Sequence, residues 1–275
     1  MQQERIGWIG MGNIGLHMAK RLAAAGYTVT VAGHSRREPV EEMKRLGARE
    51  AATPKEVAEA SDVVFTMVRD VPQTETVLYG PGGLWSSLRP GMVLVLSSTL
   101  LPNFCSDLAQ KGKEVGVTVI DAPVSGGPWG AGAGTLTFFV GAEEADFERC
   151  RPIFEAMGKS IFHLGAVGTG QVAKLSNNLL LWIHILATSE AVRMAELAGL
   201  PSETLLKTIE VSTGGSWVVK NWQDMLDLLR SDEGRVLKLQ YKDTDLALKY
   251  ANGGGLLLPI GGLVSQLGLP PGMLD

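Results

Sequence analysis

The first half of the chain alternates short apolar runs with amphipathic stretches. The run "RIGWIG" ends in glycines, and apolar residues then recur at helical spacing from Ile14 to Ala25. Gly26 predicts the end of that helix. Further beta-branched runs follow at 28–33, 63–68, 92–96, 117–120 and 136–140. Strands that alternate with helices in this way predict an α/β fold, a doubly wound and mainly parallel sheet that helices cover on both faces.

The pattern changes after about His163, where the beta-branched runs stop and long helical patterns begin. Residues 171–198 contain no Gly or Pro, so they predict one helix of about 28 residues and about 42 Å at 1.5 Å per residue. Its middle is apolar on nearly all sides, which is typical of a buried helix. We therefore expect two domains, an α/β domain at 1–164 and an all-helical domain at 165–275, joined by this long helix.

Composition narrows the classes of partner that this chain can have. The formal net charge is -4, from 25 basic and 29 acidic residues, without a basic stripe or a polybasic block, so we expect no nucleic-acid or membrane partner. The apolar run "LLLWIHILA" is far shorter than the roughly 20 residues of a membrane span. The apolar pattern already begins at Ile6, which argues against a secretory leader. Cys105 and Cys150 form no metal-ligand spacing, and we expect a cytoplasmic protein without a metal site.

The glycine-rich turn "GMGNIG" lies between the first predicted strand and the first predicted helix. In that context the G-x-G-x-x-G pattern predicts a Rossmann-type dinucleotide site. Gly10 permits the tight turn, Gly12 lets the backbone approach a pyrophosphate, and Gly15 lets helix and strand pack closely. The N–H groups at the start of the helix would hold the anion. The predicted cofactor contacts in this turn are Gly10, Met11, Gly12, Asn13, Ile14 and Gly15.

The end of the second predicted strand indicates which nicotinamide cofactor binds. An Asp or Glu there holds the ribose 2′-hydroxyl of NAD, whereas a basic residue accommodates the 2′-phosphate of NADP. The sequence "VAGHSRRE" carries hydroxyl and guanidinium donors and no carboxylate at the strand end. We therefore expect NADP, with NAD as the alternative, although two loop arginines can also be simply solvated. The predicted donors are His34, Ser35, Arg36 and Arg37.

Two polar residues on the long predicted helix are candidates for chemistry on a substrate. Lys174 and Asn178 are four residues apart, so both lie on one helical face. A lysine that faces an apolar cleft can give a proton to a developing alkoxide, and an asparagine beside it can orient the substrate oxygen. From the residues alone, a solvated helix lysine is the alternative.

Five motifs occur in an order that resembles a known family. They are "GMGNIG", "SST" at 97–99, "DAPVSGGPWGAGAGTL", "GTGQVAKLSNN" and "KDTDLAL". Over nearly its whole length the chain resembles the β-hydroxyacid dehydrogenases, the group of 3-hydroxyisobutyrate dehydrogenase, tartronate semialdehyde reductase and glyoxylate/succinic semialdehyde reductase. The motifs "DAPVSGG" and "GxGQxxKxxNN" are highly specific as a pair. The resemblance implies an NAD(P)-binding Rossmann domain followed by a domain for substrate binding and oligomerisation.

The resemblance also implies roles for residues of the substrate site. It implies that Ser125, Gly126 and Gly127 bind the substrate carboxylate through a hydroxyl and backbone N–H groups. Lys174 is implied as the acid/base, with Asn178 as its neighbour on the substrate. The glycines at 130, 132 and 134 are expected only to turn the chain back into the next strand.

Further positions match the family's cofactor and pocket residues. The resemblance implies cofactor contacts at Val68, Arg69 and Thr99, and a lysine near the nicotinamide at Lys242. Asp243 is expected to anchor its motif structurally. Trp217 falls where the family has a side chain that lines the substrate pocket, and the alternative is an ordinary core tryptophan.

Together these features predict an NADP-dependent oxidoreductase that interconverts a small hydroxy acid and its semialdehyde or oxo acid by hydride transfer, with Lys174 as general acid/base. The expected partners are a small carboxylate substrate and further copies of the chain, in a homodimer or homotetramer. Two alternatives stay open. An imine reductase-like enzyme typically has another residue in place of Lys174, and a non-catalytic NADP-binding protein is expected to lack Lys174, Asn178 or Ser125.

Overall fold

The computed structural model describes residues 3–33, 36–231 and 241–267 of the 275-residue chain. Its internal contacts divide the chain into two compact units, Met1–Lys174 and Leu175–Asp275, here called the first and the second unit. The division falls inside a long helix, whereas the sequence pattern places a domain boundary ahead of that helix, at 164/165.

Six parallel strands form the main sheet of the first unit. They are β1 (Ile6–Ile9), β2 (Val29–Ala32), β3 (Arg49–Ala51), β4 (Val63–Thr66), β5 (Val93–Leu96) and β6 (Thr118–Asp121), in the spatial order β3-β2-β1-β4-β5-β6. Every residue of β1, β2, β4 and β5 is buried, as expected for parallel strands that are covered on both faces. The strand order reverses between β1 and β4, and ligands of such sheets bind at the carboxyl ends of the strands beside that point.

Helices cover both faces of this sheet, which confirms the predicted doubly wound fold. They include α1 (Gly15–Ala24), α2 (Glu38–Arg45), α3 (Pro54–Glu59), α4 (Val71–Tyr79) and α5 (Pro102–Glu114), and a 3-10 helix covers Trp85–Ser87. On one face, Met18 of α1 packs in the same core cluster as Trp8 and Phe65 of the strands. On the other face, Val57 of α3 packs in a cluster with Leu108 of α5.

A second, three-stranded sheet completes the first unit. Its strands are β7 (Val124–Ser125), β8 (Leu136–Val140) and β9 (Gly158–His163), in the order β7-β8-β9, and it is accompanied by α6 (Gly127–Ala133) and α7 (Glu144–Glu155). The sequence predicts β8 but groups it with the parallel strands, whereas β8 pairs antiparallel with β7 and parallel with β9. The strands β3, β7 and β9 are not predicted, because β3 and β7 are very short and β9 is only partly buried.

The described part of the second unit is helical, as predicted. Its helices are α8 (Thr169–Leu197), which begins in the first unit, α9 (Ser202–Glu210), α10 (Trp217–Lys220), α11 (Trp222–Arg230), α12 (Tyr241–Gly253) and α13 (Pro259–Leu267). The 29 residues of α8 match the single long helix expected from the sequence. Trp182 and Ile185 of α8 form a buried cluster with Val218 and Trp222. No described helix is both long enough and apolar enough to cross a membrane.

Candidate active site

The turn between β1 and α1 requires glycine at two of its three motif positions. Gly10 has a φ of 102°, and a Cβ added there would lie 2.2 Å from the carbonyl oxygen of Met67. A Cβ at Gly15 would lie 2.1 Å from the carbonyl oxygen of Gly10, so the turn and α1 approach too closely for any side chain. At Gly12, by contrast, a Cβ would meet no atom within 4 Å. The turn therefore forms a cradle with open space at Gly12, which fits a pyrophosphate group.

The segment after β4 lies directly against this turn. The N–H of Met67 donates to the carbonyl oxygen of Ile9 over 2.8 Å. A Cβ at Gly10 would lie 3.2 Å from Cγ1 of Val68. The N–H of Val68 in turn donates to Oγ of Ser98 over 2.9 Å, and Ser98 precedes the half-buried Thr99. The structure thus brings the predicted cofactor residues of the turn, of β4 and of β5 to one edge of the sheet.

The two arginines after β2 have different surroundings. Nη2 of Arg36 lies 3.4 Å from the carbonyl oxygen of Met11, inside the dinucleotide turn. Arg37 instead donates hydrogen bonds to Glu41 and Glu50, and its guanidinium holds the pKa of the Glu50 carboxyl below its ordinary value. Arg36 is therefore the arginine that lies at the turn. The other two predicted donors, His34 and Ser35, lie outside the described residues. Arg69, after β4, donates its backbone N–H to Oε1 of Gln73 over 3.1 Å.

The "SGG" stretch has an unusual backbone. Ser125 ends β7 and is half-buried, in register with Thr137 of β8. Gly126 and Gly127 follow with φ values of 126° and 62°, which strain any residue with a side chain. The stretch from 127 to 133 forms the helix α6 rather than the expected turn, and Gly134 ends that helix in the left-handed conformation. The glycines at 130 and 132 thus lie within a short helix.

Two buried side chains hold the start of α8, the helix that carries Lys174. Both carboxylate oxygens of Asp121 accept backbone N–H groups, from Gly168 over 2.6 Å and from Gln171 over 2.7 Å. Oε1 of Gln171 accepts the N–H of Leu100 and its Nε2 donates to the carbonyl oxygen of Ser98, each over 2.9 Å. Both residues stand inside the most specific motifs of the sequence, which is the signal that could have singled them out.

Burial governs the charge of Asp121. The side chain is fully buried at the end of β6, and burial raises the pKa of its carboxyl to about 6, although the N–H groups of Gly168 and Gln171 act in the opposite direction. This carboxyl therefore titrates just below neutral pH. Lys174 itself lies one turn further along α8 and is half-buried.

In the second unit, Asn178 and the "KDTDLAL" motif meet. Nδ2 of Asn178 donates to Oδ2 of Asp243 over 2.7 Å, and both residues are buried. Oδ1 of Asn178 accepts a hydrogen bond from the amide of Asn177 over 3.1 Å. Nζ of Lys242 lies 3.7 Å from Oδ1 of Asp243. The carboxylate of Asp243 thus orients the amide of Asn178, which is a structural role of the kind expected for this residue.

Trp217 is the first residue of α10, and Ser216 caps that helix by accepting the N–H of Val219 over 3.2 Å. Trp217 is 57% exposed, whereas an ordinary core tryptophan, the alternative, would be buried, and its place in a substrate pocket stays a prediction. In the ranges 3–33, 36–231 and 241–267, no group of three or more His, Cys, Asp or Glu side chains could hold a metal ion.

Two family models together match nearly the whole chain. Residues 5–165 match the NAD binding domain of 6-phosphogluconate dehydrogenase. Residues 168–269 match a domain described as NAD-binding of NADP-dependent 3-hydroxyisobutyrate dehydrogenase. The first model corresponds to the two sheets and their helices, and the second to α8 and the helices that follow it.

Individual proteins support the same assignment. The chain is 37% identical over 266 residues to 2-(hydroxymethyl)glutarate dehydrogenase of Eubacterium barkeri, covering 96% of this chain and 87% of that protein. It is 37% identical over 258 residues to 2-hydroxy-3-oxopropionate reductase of Escherichia coli, covering 93% and 87%. The solved structure of Mycobacterium tuberculosis 3-hydroxyisobutyrate dehydrogenase with L-serine matches with a TM-score of 0.84 and 29% identity, covering 97% of this chain and 92% of that one. Because motifs, fold and matches agree over nearly its whole length, the chain belongs to the β-hydroxyacid dehydrogenase family of NAD(P)-binding oxidoreductases.

Proposed function

We propose that the protein is an NADP-dependent oxidoreductase that interconverts a small hydroxy acid and its semialdehyde or oxo acid, with Lys174 as general acid/base. One observation supports this above all. Hydrogen bonds along the carboxyl edge of the sheet connect Val68, beside the dinucleotide turn, through Ser98 and Gln171 to the helix of Lys174. The relatives named above are dehydrogenases and reductases of small hydroxy or oxo acids, which supports the same substrate class.

The chemistry that a bound nicotinamide supplies is hydride transfer. Ser125 binds the substrate carboxylate through its hydroxyl, and Gly126 and Gly127 contribute backbone N–H groups from residues that have no side chain of their own. In the reductive direction Lys174 gives a proton from Nζ to the developing alkoxide, and in the oxidative direction it takes the proton back. The buried amide of Asn178, oriented by Asp243, holds the substrate oxygen.

The proton-transfer role is tested with Lys174→Ala. We expect turnover to fall by about 10²- to 10⁴-fold, the usual contribution of general acid–base catalysis. The dissociation constant of NADPH should stay within about twofold, because the glycine cradle is untouched. Lys159→Ala is the matched control, since Lys159 is an exposed lysine of the same unit. A Lys174→Ala enzyme with wild-type turnover of a panel of small semialdehydes, 2-oxo acids and 3-hydroxy acids would overturn the proposal.

The carboxylate site is tested with Ser125→Ala on the same panel. We expect a higher KM for the acid substrate with a smaller change in kcat, because the hydroxyl contributes to binding rather than to proton transfer. Unchanged kinetics would remove Ser125 from the site. The panel also includes a cyclic imine, and turnover of the imine without turnover of any hydroxy or oxo acid would favour the imine reductase alternative.

The preference for NADP is supported by the position of Arg36 at the dinucleotide turn and by the absence of Asp and Glu among residues 33–37, directly after β2. Arg36→Ala should raise the KM for NADPH about tenfold, equivalent to about 1.4 kcal/mol, and leave the KM for NADH nearly unchanged. Arg37→Ala is the matched control, because Glu41 and Glu50 already bind that guanidinium. A wild-type enzyme with higher kcat/KM for NADH than for NADPH would contradict the assignment.

A further inference from the structure

We propose that Asp121 and Gln171 are positioning residues that hold the first turn of α8, and with it Lys174, in register with the cofactor edge of the sheet. The inference rests on the proposed role of Lys174. Neither residue is assigned to contact the substrate or the nicotinamide. Each acts through the backbone that it binds.

Asp121 is itself held rigidly. Its backbone N–H donates to the carbonyl oxygen of Gly141 over 3.2 Å, and its own carbonyl oxygen accepts the N–H of Gly141 over 2.8 Å. The residue thus ends β6 while bridging to the segment that follows β8. The carboxylate of Asp121 binds the N–H groups at the start of α8. Because Asp121 is fixed at this junction, it fixes the position of those groups. A carboxylate there also satisfies donors that have no partner within the helix.

The space around this carboxylate excludes other side chains. A Cβ at Gly141 would lie 2.2 Å from Oδ1 of Asp121, and a Cβ at Gly170 would lie 2.8 Å from Oδ2. Gly168 has a φ of 103°, which a residue with a side chain rarely adopts. Three glycines, at 141, 168 and 170, therefore let the backbone close around one carboxylate. An ordinary helix cap at the surface needs no such enclosure.

Gln171 connects the same helix turn to the loop after β5. The two backbone groups that its amide binds belong to Ser98 and Leu100, so the residue between them is Thr99, a predicted cofactor contact. The amide is fully buried. Lys174 follows three residues later on α8, on a neighbouring part of the helix surface. The side chain of Gln171 thus fixes the position of Thr99, a candidate cofactor residue, relative to the helix that carries Lys174.

The environment of Asp121 makes the arrangement sensitive to pH. The elements around the carboxyl contribute the glycines at 141, 168 and 170, Gln171, and the buried thiol of Cys105 from α5, whose pKa burial raises. None of these neighbours is a cation that would keep the carboxyl ionised. Protonation of the carboxyl removes one of its acceptors and the negative charge at the start of α8. We therefore expect kcat to fall as the pH decreases through about 6, the pKa of Asp121.

Two variants test the proposal in the full-length enzyme. Gln171→Leu keeps the volume and removes both amide hydrogen bonds. Asp121→Asn keeps the shape but replaces one acceptor with an N–H donor. In each we expect kcat to fall by about 10- to 100-fold, since a misplacement of about 1 Å can cost 10²-fold, while the dissociation constant of NADPH stays within about threefold. In Asp121→Asn the decrease of kcat near pH 6 should also disappear.

Ser106→Ala is the matched control for a merely structural effect. Oγ of Ser106 lies within hydrogen-bond distance of the carbonyl oxygens of Pro102 and of Val167, just ahead of α8, and its hydrogen bonds in the described structure go to neither Asp121 nor Gln171. We expect this variant to lose some thermal stability and to keep the kcat and the pH profile of the wild type. Rates are given per folded enzyme, so partial unfolding of a variant does not imitate a loss of kcat.

The outcomes separate this inference from the proposed function. If Lys174→Ala is inactive but Gln171→Leu and Asp121→Asn keep the wild-type kcat and pH profile, the positioning roles are wrong and the function stands. If Lys174→Ala is fully active, the acid/base role is wrong, and the positioning proposal that rests on it is wrong as well. Should Asp121→Asn not fold, Gln171→Leu decides alone, and an unchanged kcat in it overturns the proposal.

Discussion

Two buried carboxylates bind groups of α8, one ahead of Lys174 along the helix and one after it. They differ in the kind of group that they bind. Asp121, in the first unit, accepts two backbone N–H groups and is fully buried. Asp243, in the second unit, accepts the side-chain amide of Asn178 and lies 3.7 Å from the ammonium of Lys242. One carboxylate thus fixes backbone, and the other fixes side chains that are themselves candidate site residues.

The difference shows that a buried carboxylate can fix either the backbone of a helix or the orientation of one of its side chains. Backbone N–H groups cannot change rotamer, so a carboxylate bound to them fixes the path of the chain. An amide side chain can be turned, so a carboxylate bound to it fixes an orientation, here that of Asn178. We therefore expect changes at Asp121 to affect the stability of the first unit, and changes at Asp243 to affect the site more than the fold.

The largest expected difference comes from removing each carboxylate. Asp121→Ala leaves two buried N–H groups without an acceptor, at about 1–3 kcal/mol each, so we expect a loss of about 2–6 kcal/mol in the free energy of unfolding. Asp243→Ala leaves one buried amide donor, and we expect about 1–3 kcal/mol. Urea unfolding followed by circular dichroism measures both. A larger loss of unfolding free energy in Asp243→Ala than in Asp121→Ala would contradict this prediction.

A smaller effect concerns the pH dependence of stability. The pKa of Asp121 is raised from 3.8 to about 6, so the folded state binds this proton more tightly than the unfolded state does. The stabilisation by protonated Asp121 is therefore present at low pH and is lost as the pH rises through about 6. Between pH 7 and pH 4 the wild type should gain roughly 2–3 kcal/mol relative to Asp121→Asn, at about 1.4 kcal/mol per pKa unit.

The measurement is the difference between the two unfolding free energies at each pH, because other carboxyls then cancel. Asp62, for example, acts in the opposite direction, since the hydrogen bond from Arg5 lowers the pKa of its carboxyl to about 2. Parallel curves for the wild type and Asp121→Asn would show that the carboxyl does not titrate in this range.

The smallest effect is expected at Lys242. Its side chain is 29% exposed, and its nitrogen lies 3.7 Å from Oδ1 of Asp243, so the pair resembles a partly solvated ion pair. Lys242→Met should cost about 1 kcal/mol or less. If the lysine lies near the nicotinamide as the resemblance implies, the KM for NADPH should rise by a larger factor than stability alone explains. A loss above about 3 kcal/mol would instead show that Asp243 depends on this charge.

Much of the fold follows from local patterns. The glycines at 10, 12 and 15, the buried runs of the parallel strands and the uninterrupted helix α8 all show in the sequence, because each depends on the periodicity or the backbone freedom of neighbouring residues. The short strands β3 and β7 do not show, since two or three residues carry no periodicity. The separate sheet of β7, β8 and β9 also does not show, because pairing partners are chosen by packing.

The candidate site divides in the same way. The motifs predict Ser125, Lys174 and Asn178, but the neighbours of these residues come from distant parts of the chain. Gln171 and Asp121 are 50 residues apart, and Asn178 and Asp243 are 65 apart. Similarly, the two adjacent arginines at 36 and 37 look equivalent in sequence, but Arg36 lies at the carbonyl oxygen of Met11 while Arg37 binds Glu41 and Glu50.

The sequence by itself determined the alternation of strands and helices, the dinucleotide turn, the long helix and the family, because these depend on residue type and spacing. Only the tertiary structure decided that the start of α8 is fixed by a buried carboxylate from β6 and an amide that reaches the loop after β5. The physical reason is that hydrogen-bond partners and burial depend on which strand ends meet at one edge of the sheet. No local pattern around Lys174 contains that information.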